Sequence, residues 1–142
     1  MNKYILNVSS KISANGESET IELTTVGNFS RVNNKWIIAY SEVIDDSGVE
    51  VKTLVRVTDD EVSITRNNDS NSRLIMKLHE RNLCHYGTEY GPLMLGVFCS
   101  DIKNKLNENG GSVEMTYTLD VNAAVLSTNE VNIKVREVKS NV

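Results

Sequence analysis

At 142 residues the chain has the size of one domain, long enough to bury roughly 68 to 70% of the surface its unfolded form exposes, so neither a disulfide nor a metal staple is required. With 39% hydrophobic and 24% charged residues it is not a disordered chain, and no apolar run approaches the ~18 residues of a spanning helix. A net charge of −4 and a pI near 5.2 argue against nucleic-acid binding, which draws on clustered lysine and arginine to displace phosphate counterions.

The opening residues, "MNKYILNVSSKIS", hold only three consecutive apolar side chains, too few for the greasy core of a secretory signal, so a cytoplasmic location is expected. The Asn-x-Ser matches at Asn7, Asn28 and Asn68 are then chance matches. Cys84 and Cys99, which lack CxxC spacing, are read as reduced thiols. Seventeen valines, ten isoleucines and ten threonines against four alanines favour strands over helices, and seventeen asparagines supply turns.

Along the chain, period-two alternation marks the strands. Trp36, Ile38, Tyr40 and Glu42 share one strand face, so a carboxylate continues an aromatic stripe. Val49, Val51, Thr53, Val55 and Val57 share another, with Glu50, Lys52, Leu54 and Arg56 opposite. Leu74, Met76 and Leu78 alternate with Arg73, Ile75 and Lys77. Val113, Met115, Tyr117 and Leu119 alternate with Glu114, Thr116 and Thr118; Val131, Ile133 and Val135 alternate with Asn132, Lys134 and Arg136. Turn chemistry separates these runs: "ANGE" at Asn15 and Gly16, Asn33 and Asn34, "DDSG" at 45–48, "TDDE" at 58–61, "NNDSN" at 67–71 and "NENGG" at 107–111. Links this short join antiparallel neighbours. The fold expected is all-β, a closed antiparallel up-and-down barrel of about eight to ten strands in a single domain.

"HYGTEYGPLMLGVFCSDI", residues 85–102, looks like a phosphate loop, because Gly91 and Gly96 have the spacing of GxxxxGK[ST]. Val97 and Phe98 follow the second glycine where lysine and a hydroxyl would be needed, so the stretch reads as a hairpin. A turn between Gly91 and Pro92 pairs Tyr90 with Leu93, Thr88 with Leu95 and Tyr86 with Val97, and sets Gly87 against Gly96 and Cys84 against Cys99. "SDIKNKL", residues 100–106, fits either one or two helical turns capped by Ser100 or a bulged continuation of the strand, since the alternation slips by one at Ile102.

These residues carry a resemblance. "YGTEYGPLMLGV", followed by Ile102 and Leu106, then "GGSVEMTYTLDVN" and "EVNIKV", with "AYSE" at 39–42 and "KTLVRV" at 52–57, resembles the YwiB-like family. Those are small bacterial proteins of uncharacterised function with a calycin-like, or lipocalin-like, β-barrel. The resemblance covers most of residues 36–138 and implies a closed antiparallel barrel. It brings no reaction, ligand or site residue with it.

No constellation forces a chemistry. His79 and His85 are the only histidines, and His85 next to Cys84 is a poor metal pair, because adjacent strand residues point to opposite faces. No GxSxG or comparable nucleophile arrangement occurs, and the acidic groups Asp45, Asp46, Asp59, Asp60 and Glu61 sit in turns. The expectation is a non-enzymatic barrel that binds a small, partly apolar molecule, with Trp36, Tyr40, Glu42, Tyr86 and Tyr117 as interior candidates. No cofactor, metal, nucleic-acid or membrane partner is expected. The alternative is a filled barrel serving as a protein-interaction or structural module; a hydrolase or isomerase stands third.

Overall fold

A computed structural model describes residues 3–44, 48–67, 72–88 and 91–138. They form β1 (Lys3–Ala14), β2 (Glu17–Val32), β3 (Lys35–Ile44), β4 (Val49–Val57), β5 (Glu61–Asn67), β6 (Ser72–Lys77), β7 (Arg81–Thr88), β8 (Gly91–Asn107), β9 (Gly110–Val121) and β10 (Ala124–Val138). Each strand pairs antiparallel with its neighbours in the chain, and β1 pairs with β10, closing the sheet into a ring. Among the described residues there is no helix, and so none long and apolar enough to cross a membrane.

Asparagine makes several of the tight connections. Asn15 and Gly16 (φ 53° and 78°), Asn33 and Asn34 (52° and 64°), and Asn122 and Ala123 (51° and 70°) take left-handed backbone in two-residue turns whose twist suits a hairpin. The "DDSG" link, residues 68–71 and Tyr90 fall wholly or partly outside the described residues.

Alternation puts one apolar set inside. Leu6, Ile38, Val55, Val57, Val62, Met76, Val97, Val113, Met115 and Ile133 are buried together, and the charged residues between them face outward. One end of the interior is plugged by aromatic rings: Phe29 stacks on Trp36 at 5.2 Å between centroids, and Tyr4 meets Phe29 edge-on at 5.4 Å.

The glycine hairpin forms in a different register from the one read off the sequence. Tyr86 lies opposite Leu93, Cys84 opposite Leu95 and Leu83 opposite Gly96, and Thr88 pairs with Gly91. Gly91 and Pro92 therefore open β8 rather than making the turn, and Gly87 faces Pro92. The displacement is an even number of residues, so the faces are unchanged: Cys84, Leu95, Val97 and Cys99 are all buried. Cys99, four residues along β8 from Cys84's partner, is roughly 13 Å away from it by strand rise, beyond the span of a disulfide. Both thiols are free. The slip at Ile102 is a bulge and not a helix: the β8–β9 register shifts between Cys99 and Asp101, which lets both Cys99 and Ile102 point inward.

On the outer wall Arg81 grips Asp120 across β8. Its Nε donates to Oδ2 at 2.9 Å and its Nη2 to Oδ1 at 2.5 Å, while Oδ1 also accepts the Ala123 N–H of the strained β9–β10 turn at 3.0 Å. Gly96 lies beneath the pair, where a Cβ would run into both partners. The Arg81 hydrogen bonds hold the Asp120 carboxyl below its ordinary range.

Two outcomes follow for stability. Leu6→Ala, at a fully buried position, should cost about 2–5 kcal/mol in denaturant unfolding, against no more than ~0.5 kcal/mol for Val125→Ala at a position 66% exposed. Because the native Asp120 value is lowered, its contribution is complete above the ordinary aspartate value of about 3.9 and is lost as pH falls through the native one. Thermal melts should show Asp120→Asn less stable than the parent at pH 6, with the gap narrowing as pH falls below the ordinary aspartate value; a gap that does not narrow on acidification would contradict the pairing.

Candidate functional site

Cross-strand register decides what faces the interior at each level. On the inner face of β3, β4, β5 and β6, Ile38, Val55, Ile64 and Leu74 stand opposite one another in turn, an apolar layer. The next inward residue on each strand, towards the end carrying the β1–β2 turn, is polar: Tyr40 pairs with Thr53, Thr53 with Arg66, Arg66 with Ser72, and Ser72 with Tyr86 of β7. Five adjacent strands thus carry a polar belt directly above the apolar layer.

The belt rims a cavity of about 300 Å³ at this end of the ring. Its walls include Val8, Val55, Ile64, Leu74, Val131 and Ile133, with Tyr40, Arg66, Ser72, Tyr86, Tyr117 and Asn129 as polar members. Ile12 and Ile21 line the opposite rim and remain 36% and 52% exposed. Asn129 is buried, and its Nδ2 donates to Ser127 Oγ at 3.0 Å.

Glu42, one step beyond Tyr40 on the inner face of β3, accepts a hydrogen bond from Arg66 Nη2 at 3.0 Å. The Thr53 hydroxyl is buried between Tyr40 and Arg66 and lies against the Tyr40 phenol, whose ionised form it stabilises. Burial raises the Tyr40 phenol, against a smaller lowering by the Arg66 guanidinium. Burial pushes Tyr117 up to about 12, again with Arg66 as the first opposing influence.

Of the five interior candidates, Tyr40, Tyr86 and Tyr117 line the cavity and Glu42 is joined to its wall through Arg66. Trp36 lies at the other end, in the plug with Phe29 and beneath the Arg31 guanidinium, 5.1 Å from the ring centre. Sequence reading missed Arg66, Thr53 and Ser72 as a group. The signal for Arg66 was present: Val62, Ile64 and Arg66 alternate just as Ile38, Tyr40 and Glu42 do.

His85 is exposed beside buried Cys84, and His79 sits exposed in the β6–β7 link. Burial raises the Cys99 thiol, which donates to the Asp101 carbonyl at 3.5 Å. Among the described residues no three His, Cys, Asp or Glu side chains are grouped to hold a metal ion. The arrangement offers a small apolar chamber with hydrogen-bond donors around one side of its mouth.

A family model described as a domain of unknown function (DUF1934) matches residues 6–133. The chain is 28% identical over 116 residues to an uncharacterised β-barrel protein, YwiB, of Bacillus subtilis strain 168, spanning 82% of this chain and 80% of that one. It superposes on the crystal structure of the ywiB protein from Bacillus subtilis with a TM-score of 0.85 and 25% identity, covering 97% of this chain and 93% of the other.

Because the native Tyr117 value is raised, the contribution of this phenol to stability is complete below the ordinary tyrosine value of about 10 and is lost as pH rises towards about 12. Absorbance titration of the phenolate should lose its most alkaline component in Tyr117→Phe, and that variant should lose less stability between pH ~10 and ~12 than the parent. Identical titrations would place Tyr117 in water.

Proposed function

Taking as premise that the chain belongs to the DUF1934 family, we propose that it is a non-enzymatic cytoplasmic protein that holds a small, partly apolar molecule in the end of its barrel that carries the β1–β2 turn. The observation that carries this reading is the cavity of about 300 Å³, whose apolar floor and one-sided polar rim match the two ends of an amphiphile. At roughly 30 Å³ per water-sized group, the space suits a molecule of about ten non-hydrogen atoms. Ten strands enclose more room than eight, and here the aromatic plug fills only one end. Lipocalin-like barrels use their interiors in this manner.

A protein-interaction role has separate support in exposed apolar side chains next to the β1–β2 turn. Val125 and Leu126, beside a β10 bulge, are 66% and 50% exposed. Native mass spectrometry of protein purified from its own host distinguishes the two. A co-purifying small molecule, lost in Leu74→Trp where an indole fills the chamber, is the expected result. A ligand-free protein that also shows no thermal stabilisation by a panel of small amphiphiles would end the binding reading.

A further inference from the structure

The belt differs from an ordinary polar rim in its hydrogen-bonding sense. Tyr40, Thr53, Ser72 and Tyr86 each bring a hydroxyl able to donate, and Arg66 brings five N–H groups and no acceptor. Among the described residues lining the cavity, Arg66 is the one charged side chain; Glu42, its partner, stands outside the lining. The walls of the chamber therefore carry a single formal positive charge.

One observation shows capacity left over. Arg66 remains 44% exposed although Glu42 takes one Nη2 bond, and a guanidinium fork can serve a carboxylate on two nitrogens.

We propose that the belt receives the head group of a monocarboxylate amphiphile, and that Arg66 exchanges its bond from Glu42 to the ligand's carboxylate. The tail points down onto Val55, Ile64, Leu74, Val131 and Ile133. Glu42 already shows the group that the Arg66 fork accepts, and it acts as a resident competitor that keeps the guanidinium turned towards the mouth when the chamber is empty. A cationic head seated at the level of the belt would lie against Arg66, the one charged side chain among the described lining residues.

This inference rests on the binding reading above, and calorimetry with decanoate, decanol and decylamine separates the two. The parent should bind decanoate at least about tenfold more tightly than either other compound, the factor expected of one charge-assisted fork. Arg66→Met should reduce decanoate to the level of decanol while leaving decanol unchanged, and Glu42→Gln should tighten decanoate several-fold by freeing Nη2. Both positions lie at the rim, and circular dichroism confirms that the variants remain folded. Equal binding of decanoate and decanol, preference for decylamine, or weaker decanoate binding by Glu42→Gln would overturn the head-group assignment while leaving an amphiphile chamber in place. Failure of all three compounds to bind would instead remove the chamber reading itself.

Discussion

The pairing of the first strand with the last is the constraint on which the interior depends. Eleven successive residues of β1, Lys3 to Ser13, lie opposite β10 from Val138 back to Thr128, and Tyr4 to Ala14 face β2 on the other side of the strand. With that seam closed, neither end strand presents an open ladder, and each strand must commit one alternate set of side chains to the interior. The rows seen inside follow directly. Val8 stands opposite Ile133 and Leu23, and Ser10 opposite Val131 and Ile21, which completes the chamber wall on the side away from the polar belt.

Closure is nevertheless uneven, and its gaps lie where the cavity is. β2 pairs with β3 only from Asn28 to Val32, so the earlier half of β2 is held by β1 alone. Gly27 sits at the fork; a Cβ there would lie 2.6 Å from the Ala39 carbonyl oxygen and 2.5 Å from a Leu6 methyl, a clash with backbone that a side chain could not relieve. Across the ring, β6 and β7 share one ladder pair, Ser72 with Tyr86. Below it the Cys84 sulfur takes the place of backbone, accepting the Ile75 N–H at 3.4 Å. Further down, Leu78 bridges directly to Cys99 of β8. Glycine, sulfur and a bulge thus absorb the strain of sealing ten strands.

The alternation of the sequence carried the architecture, because a half-buried strand must repeat every second residue whatever its partner. It located the inner faces of β3, β4, β6, β9 and β10 and the irregularity after Cys99. It could not supply register, which is set by turn geometry; an even displacement in the glycine hairpin conserves the faces and so leaves no trace in the pattern. Nor could it show depth along the barrel. Trp36 and Tyr40 share a face, yet one belongs to the plug and the other to the cavity, because a strand of ten residues traverses the interior from end to end. The Arg81 clamp joins residues 39 positions apart and depends on three strands being adjacent, information that no local window contains.

The most direct test of this account is nuclear magnetic resonance of the labelled protein, reading cross-strand backbone contacts at two places: between Val8 and Ile133, and along Arg66, Ser72 and Tyr86. Contacts in that register, with slow amide exchange along β1 and β10, are the predicted result. A register moved by one residue at β5 or β6, which would turn Arg66 or Ser72 to the outside, or fast exchange along a β1 that never meets β10, would contradict it.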